Sequence, residues 1–386
     1  MLSSGFILSS DQIVKYFKEA LTFVKDMGEK FFSYFQTLPR LELALQILIL
    51  TVVFLFVLTI IIAIGVVLLR MKNNQNSKRY SRLEKSWEGQ IMEILSNDEG
   101  DDLPEIEIKR GDRDFFVQYL YRFASRLRGQ ELQIIKDLAA PHLPMIAAKL
   151  KRGYPELRAR NINILATLGF PTYIDPIILT LQEDAPIVKM AAARILAHAD
   201  FPEHIDLILP ELSHFDEWSM NFLASMLSEM GPEIAPRLRE ELLNQDASVR
   251  VRIAAAEALR QIGDLAAPDT AVKVLEAGGD PELSATCLKI LRDMGTPRHR
   301  PLLLGLVNSP EEIVRIHALS ALGSVGMESD SSIMLKGLDD PSSWVALQAA
   351  RALHQIKSTK LLEEIAASDH PRASIAQQIL TEVHGI

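Results

Sequence analysis

The side chains of this sequence that are capable of chemistry are scattered and do not form a recognisable catalytic group. None of the nine histidines pairs with a cysteine or carboxylate at the spacing of a metal site. We expect His317 and His354 to be ordinary helix residues. The single cysteine, Cys287, lies in the apolar stretch LSATCLKIL and should be an unreactive core thiol. Phosphate-binding loops, dinucleotide fingerprints and nucleophile elbows are also absent from the sequence. It therefore predicts no catalytic, cofactor-binding or metal-binding residues, and no enzyme.

One pattern of charge does indicate a binding surface. Seven predicted helices between residues 154 and 356 carry eleven bases, namely Arg158, Arg160, Lys189, Arg194, Arg250, Arg252, Arg260, Lys289, Arg292, Arg315 and Arg351. Beyond the first turns of these helices the acids are only Glu229, Glu257 and Asp293. A basic row in a chain of net charge −9 favours a groove for an acidic protein segment. The best candidates are Arg194, Arg252, Arg260 and Arg292. The alternative is that the bases only complement helix dipoles and brace the fold.

The helices that carry these bases recur at a nearly fixed interval. Each ends in a similar phrase, as in LATLG (165–169), LRQIG (259–263) and LGSVG (322–326). The closing residues follow one another at intervals of 31 or 32: Gly169, Asp200, Gly231, Gly263, Gly295, Gly326 and Lys357. A period of this length indicates a solenoid, which offers one long face to partners and no central pocket.

Each repeat has the same internal order, with a short A helix, a turn and a longer B helix. The sequence predicts a polar N-cap for each B helix, at Asp184, Asp216, Asp246, Asp280, Ser309, Asp340 and Asp369. Small residues then fill the middle of the B helix, as in Ala254–Ala256, and let neighbouring helices approach closely. The closing glycine ends the helix.

Three phrases carry a resemblance to a known family: DASVRVRIAAAEALRQIG (246–263), DAPIVKMAAARILA (184–197) and SPEEIVRIHALSALGSVG (309–326). They resemble HEAT repeats, and their short period is most similar to bacterial HEAT-like repeats of the phycobilisome-lyase type. The resemblance covers about 154–386. It implies an all-α fold, a right-handed α-solenoid of helical hairpins in which the B helices line the concave side.

The resemblance also implies roles for particular residues. Asp–Arg ladders join adjacent repeats in this family, so Arg250 and Arg315, which follow a valine, are expected to be structural. The ladder should be interrupted in the repeats of Arg158 and Ser284, which depart from the Val-Arg pattern.

A continuous apolar segment, residues 43–69, stands near the start of the chain. It holds no charge, and as a helix it would be ~40 Å long, enough to cross a bilayer with some tilt. Six bases and one acid follow within residues 70–85, a denser basic flank than the one before the segment. This density predicts repeats in the cytoplasm and the N-terminus outside. An inner (plasma) membrane, single-pass protein is therefore expected.

The sequence thus predicts five segments: an extracytoplasmic amphipathic helix within 1–40, a transmembrane helix at 41–70, a basic then acidic linker with a short helix at 71–111, irregular capping helices at 112–151, and HEAT-like repeats at 152–386. The helix at 10–38 either docks a partner or lies on the bilayer. The acidic loop at 97–109 lacks the spacing of a calcium site.

The function that fits these features is a membrane-anchored scaffold or adaptor for a protein partner with an acidic segment. The acidic soluble part argues against nucleic acid. The order of segments also resembles membrane-anchored HEAT proteins linked to envelope polysaccharide synthesis, which implies a membrane glycosyltransferase as a possible partner. Two alternatives stay open: a lyase-like modification enzyme related to the phycobilisome lyases, and a single-pass envelope sensor.

Overall fold

The computed structural model describes residues 22, 25–26, 29–30, 33, 43–96, 106–182, 185–198 and 201–384. The chain divides into two compact units, and the boundary lies between Ser96 and Asn97. The predicted amphipathic helix at 10–38 and the acidic loop at 97–109 lie mostly outside the described residues, and so does the predicted cap Asp184. Within the described part the regular structure is helical and contains no strand.

The first unit contains one long helix, α1 (Leu43–Ser96). At ~1.5 Å per residue, its 54 residues extend ~80 Å. Within it, Leu48–Leu68 has a mean hydropathy of 3.1, and none of this window is buried. The Thr59 hydroxyl donates to the Leu55 carbonyl oxygen at 2.7 Å, so its polar group is satisfied inside the helix. By length and composition this stretch is able to cross a membrane.

The basic part of the linker predicted at 71–111 is helical, because α1 continues without interruption through residues 71–82 and on to Ser96. The physical reason is that no proline or glycine lies between Gly65 and Gly89. The Asn and Ser residues there weaken a helix by less than ~1 kcal/mol each, and the Lys, Arg and Gln residues among them favour one.

The second unit is a stack of helical hairpins. Capping helices α2 (Arg113–Ala124), α3 (Gln130–Ala139) and α4 (Leu143–Ala148) come first. The B helices are α5 (Pro155–Gly169), α7 (Pro186–Ala197), α9 (Met220–Ser228), α11 (Val249–Ile262), α13 (Pro281–Met294), α15 (Glu312–Val325) and α17 (Ser343–Gln355). The A helices are α6 (Ile174–Leu179), α8 (Ile205–Ile208), α10 (Ala235–Leu243), α12 (Ala267–Ala277), α14 (Arg300–Leu306), α16 (Ser331–Leu338) and α18 (Thr359–Ala366), and α19 (Ala373–His384) ends the stack. The predicted solenoid is confirmed.

Consecutive B helices pack on one another and on the A helix of their own hairpin. The predicted small residues lie at these contacts: Ala254, Ala255 and Ala256 of α11 are fully buried. Leucines such as Leu259 and Leu291 fill the space between the helices and are also fully buried. Each fully buried leucine contributes about 1.5–3 kcal/mol. The core is therefore a continuous layer along the stack.

The N-caps differ from the sequence prediction. Asp280 caps its helix as predicted, accepting from the backbone N–H groups of Glu282 and Leu283 at 2.9 and 3.0 Å. In other repeats a serine caps the helix, for example Ser248, which accepts from the N–H of Val251. Asp246 lies two residues earlier, before the helix begins, so its carboxylate precedes the cap position.

The closing glycines serve two different purposes. Gly263 has φ 76°, a left-handed conformation that glycine adopts without strain. Gly295 has an ordinary φ of −65°, but a Cβ there would lie 2.1 Å from the Leu291 carbonyl oxygen. The closing glycine is therefore required for its backbone conformation in the repeat of Gly263 and for a close atomic approach in the repeat of Gly295.

Candidate partner-binding surface

Four bases of the row lie at the same position relative to the closing residue, and each of them braces the stack. Arg158 and Arg252 each lie eleven residues before their closing glycine. Each donates through Nε to a carbonyl near the end of the preceding A-side helix: Arg158 to Leu150 at 2.7 Å and Arg252 to Leu242 at 3.0 Å. These two arginines therefore have the same structural role, joining the two helices of one hairpin.

Two further bases occupy this eleventh position and bind acids of the next repeat. Lys189 Nζ lies 2.7 Å from Glu211 Oε2. Arg315 donates to the Asp340 carboxylate at 2.8 and 3.0 Å. The predicted structural role of Arg315 is thus confirmed, and the ladder position is the eleventh residue before the closing one.

In one repeat the Val-Arg pair predicted as the ladder lies at Arg250, two residues before this position. Arg250 reaches back to the preceding repeat, where Nη2 donates to the carbonyl oxygens of Phe215 and Trp218 at 2.8 and 2.6 Å. Its predicted structural role is confirmed. However, Arg252 also occupies a bracing position, and the sequence analysis had counted it as off the ladder. The predicted interruption at Ser284 is confirmed, since its hydroxyl bonds to Asp280 of its own helix.

Two of the four candidate residues share one acid. Arg260 contacts Glu257 of its own helix, and its Nη1 lies 2.8 Å from Asp293 of the next repeat. Arg292 Nε lies 2.7 Å from the other oxygen of Asp293. Burial opposes ionisation of this carboxyl, but the hydrogen bonds from Arg292 and Arg260 lower the pKa of Asp293. Arg260 therefore bridges adjacent repeats as well as facing the surface.

Arg194 is the candidate whose side chain makes neither an ion pair nor a hydrogen bond with a described residue. Its side chain is exposed, and it makes no ion pair with any described residue. It lies six residues before its closing residue, and Lys289 occupies the same position three repeats later. Lys289 also lacks an ion pair with the described residues. Arg160, on α5, is exposed and likewise makes no ion pair with a described residue.

A small positive cluster surrounds Lys289. His317 of α15 is half-buried, and burial, together with the charges of Lys289 and Arg292 on α13, lowers the pKa of His317 to about 4. The imidazole is therefore neutral at pH 7. The two bases keep their charge there, with Asp293 as the neighbouring acid, so this part of the B-helix face can attract an anionic group.

Polar bridges join other B helices across the same face. His198 Nδ1 lies 3.2 Å from Glu229 Oε2 in the next repeat. The Gln261 side chain accepts from Ser225 and Ser228 and donates to Asn221, all of the preceding repeat. The polar side chains in these bridges are already bonded to one another across adjacent repeats. Only part of the basic row is therefore free to bind a partner.

A second ladder, which was not predicted from the sequence, lies on the A-helix side. Here the sign of the charge alternates from repeat to repeat, and each contact joins neighbouring repeats. The four pairs are Arg237–Asp206 at 2.7 Å, Arg239–Asp264 at 2.7 Å, Arg298–Asp269 at 2.6 Å and Arg300–Asp330. The signal was present as arginines two residues apart in alternate repeats, at 237 and 239 and at 298 and 300.

The groups that could do chemistry remain dispersed in the described part of the chain. No cluster of three or more His, Cys, Asp or Glu side chains suited to a metal occurs among the described residues. Cys287 is fully buried, and burial raises the pKa of this thiol to about 12 although Arg252 acts in the opposite direction. The His354 ring contacts the Thr359 hydroxyl at 3.1 Å, a contact between the last B and A helices.

The comparison with protein families decides the kind of repeat. Residues 268–354, from α12 to α17, match the family described as HEAT repeats. These residues are HEAT repeats. No curated protein matches this HEAT-repeat chain. The HEAT fold is consistent with a scaffold for protein interaction.

Several solved structures are similar to this HEAT-repeat protein. They include the karyopherin Kap121p bound to the extreme C-terminus of the protein phosphatase Cdc14p (17% identity, TM-score 0.40, 71% of this chain and 36% of that one). Kap121p bound to Pho4p gives 17% identity, a TM-score of 0.41 and the same coverage. Human deoxyhypusine hydroxylase in complex with glycerol gives 19% identity and a TM-score of 0.30 over 64% of this chain and 96% of that one. The chain thus spans 36% of the length of the karyopherin, and likenesses at these TM-scores carry no argument about function.

Proposed function

We propose that this HEAT-repeat protein is a membrane-anchored scaffold whose B-helix face binds an acidic segment of a protein partner. The observation that carries the proposal is the unequal neutralisation of the basic row. Most of its bases contact acids or carbonyl groups within the stack, but Arg160, Arg194 and Lys289 make neither an ion pair nor a side-chain hydrogen bond with a described residue. Charge left free on a rigid surface suits a complementary partner.

The binding residues that we propose are a revision of the original four. Arg194, Lys289 and Arg292 supply the attraction, with Arg160 at the start of the stack. Arg252 and Arg260 brace the hairpins through Leu242 and Asp293. The neutral His317 ring adds a half-buried surface beside Lys289 and Arg292.

The membrane anchor in this proposal is the apolar part of α1, Leu48–Leu68. The dense basic flank that follows it supports repeats in the cytoplasm and the N-terminus outside. A fusion of alkaline phosphatase after residue 386 tests this topology, because the enzyme is active only outside the cytoplasm. Low activity is expected, and high activity would reverse the assignment.

The partner class to test first is a component of an inner-membrane complex, such as a glycosyltransferase of envelope polysaccharide synthesis. The full chain would be crosslinked in native membranes and purified through a tag at residue 386. The test variant is Arg194→Glu with Lys289→Glu. The matched control is Lys273→Glu with Lys336→Glu, two exposed lysines of A helices that make no ion pair with a described residue.

We expect the two double variants to melt alike, because none of the four side chains forms an ion pair with a described residue and each variant reverses one base in the last turn of a helix, Arg194 or Lys336. The B-helix variant should lose a crosslinked partner that the control variant retains. Weaker binding at higher salt should accompany this loss, since exposed charges are screened. Equal retention of the partner by both variants would refute the proposed surface.

A further inference from the structure

A second charged surface lies at the start of the stack, where the chain enters the HEAT-repeat unit. It consists of two segments, 106–114 and 149–160, which we name the entry patch. A salt bridge of 2.6 Å between Lys149 Nζ and Asp114 Oδ1 brings these segments together. The entry patch shares Arg160 with the basic row, but it contains neither Arg194 nor Lys289 and none of the ladder acids of the A-helix side.

The entry patch is basic within an acidic part of the chain. It holds eight bases, namely Lys109, Arg110, Arg113, Lys149, Lys151, Arg152, Arg158 and Arg160. Its acids are Glu107, Asp112, Asp114 and Glu156, of which Asp112 is buried and Asp114 is paired with Lys149. The net charge of the entry patch is therefore +4, whereas residues 86–386 as a whole carry −14, with 30 bases and 44 acids.

Large apolar side chains project from the same patch. Tyr154 is 75% exposed and Leu157 is 53% exposed, at the first turn of α5. Lys151 and Arg152 beside them are exposed, and no ion pair or side-chain hydrogen bond holds either one to a described residue. Tyrosine is a residue that settles at the headgroup level of a bilayer, and lysine and arginine next to it attract anionic lipids.

We propose that the entry patch docks on an anionic bilayer surface. This inference rests on the membrane anchor of the proposed function, which holds the patch near lipid. Each base close to such a surface adds attraction that falls off within a Debye length, so several bases together are needed. Tyr154 and Leu157 would enter the headgroup region and orient the stack relative to the membrane.

The length of the chain allows this contact. From Leu68 to Ser96, α1 extends ~42 Å beyond the apolar window. The ten peptide steps from Ser96 to Ile106 span at most ~35 Å. A tilt of α1 of about 35° therefore lets the chain return to the surface, and this tilt lies within the ordinary range for membrane helices.

The experiment uses the full chain in lipid nanodiscs. A nitroxide label is attached at Tyr154→Cys, and accessibility is measured with oxygen, which concentrates in lipid, and with a nickel chelate, which stays in water. The native thiol Cys287 is fully buried and does not compete for the label. The control label is placed at Leu265→Cys, which is 84% exposed in the loop before α12. The two lipid compositions are phosphatidylcholine alone and an equimolar mixture with phosphatidylglycerol.

We expect the label at 154 to gain oxygen accessibility over the nickel chelate in the anionic discs, whereas the label at 265 stays in water in both. Charge reversal by the double substitution Lys151→Glu with Arg152→Glu should lower the ratio of docked to undocked protein in the anionic discs by on the order of tenfold or more. The control substitution, Lys273→Glu with Lys336→Glu on the A helices, should leave this ratio unchanged.

The outcomes separate the two proposals. If the chain does not enter the nanodiscs, the membrane anchor is refuted and this inference falls with it. If the chain enters the discs but position 154 stays in water in both lipids, the entry patch does not dock on lipid, and an acidic protein segment becomes the occupant to test. Insertion at 154 that is equal in both lipids would refute the electrostatic part of the inference.

Discussion

Two glycines at equivalent places in neighbouring repeats should respond in opposite ways to the same change. Gly305 and Gly337 are each the residue before the final leucine of an A helix, in α14 and α16. A Cβ at Gly305 would meet no atom within 4 Å. A Cβ at Gly337 would lie 2.9 Å from the Ala349 Cβ and 3.3 Å from a Leu319 methyl carbon. The two sites therefore differ in packing but share the same kind of backbone.

The magnitude follows from this difference. Replacing a helical glycine by alanine favours the helix by up to ~1 kcal/mol, at both sites. At Gly337 the new methyl group must displace Ala349, whose Cβ is fixed to the backbone of α17 and cannot rotate away. Overpacking of this kind costs about 1–3 kcal/mol. Because helix propensity and unfolded-state entropy are common to both sites, the difference between Gly337→Ala and Gly305→Ala isolates the steric cost at about 1–3 kcal/mol.

Hydrogen exchange in detergent micelles is the suitable assay, because a solenoid opens locally and its stability sums over neighbouring units. Peptides covering α15 and α17 should exchange roughly 5- to 150-fold faster in Gly337→Ala than in Gly305→Ala. Peptides covering α5 should exchange alike in both variants. Equal exchange across α15 and α17 would show that the close approach of these helices is not as described, and the packing argument would fail.

Three further predictions concern the pH dependence of stability and the reactivity of the buried thiol. Hydrogen bonds from Arg300 lower the pKa of the buried Asp330 below its usual 3.8, so the contribution of this carboxylate to stability is present above pH 3.8 and is lost only as the pH falls through the lower folded-state pKa. Denaturation should show that Asp330→Asn destabilises at pH 7 and approaches the unmodified protein only well below pH 3.8. Asp269→Asn, whose partner Arg298 is exposed, should change the stability little at pH 7. The pKa of His317 falls from 6.5 to about 4 on folding, so stability should decline as the pH drops through this interval, and His317→Gln should flatten the decline in a pH series of melting curves; an unchanged slope would contradict the burial of the ring. With its pKa raised to about 12, Cys287 should resist maleimide in the folded protein and react after denaturation, and rapid labelling without unfolding would count against a closed core at α13.

The architecture of this protein is predictable from the sequence alone. The interval between closing residues, the Ala-rich middles of the B helices and the polar turns are local and repetitive signals, so they predicted the solenoid, the HEAT family and the burial of Cys287. The apolar stretch of α1 was equally plain from composition. The continuation of α1 to Ser96 was missed because Asn and Ser residues indicate a linker only weakly, and no proline or glycine was present to end the helix.

Which bases lack a side-chain partner depends on how the helices pack. Arg252 and Arg194 are both arginines on B helices, but the Leu242 carbonyl oxygen accepts a hydrogen bond from the first, and the second makes neither an ion pair nor a side-chain hydrogen bond with a described residue. Arg260 meets Asp293 only because α11 and α13 pack side by side, 33 positions apart in sequence. The same holds for the alternating ladder of the A helices and for the contrast between Gly305 and Gly337. Periodicity fixes which residues share a helix face, but the partner of each side chain lies about one repeat away and depends on how the hairpins are stacked.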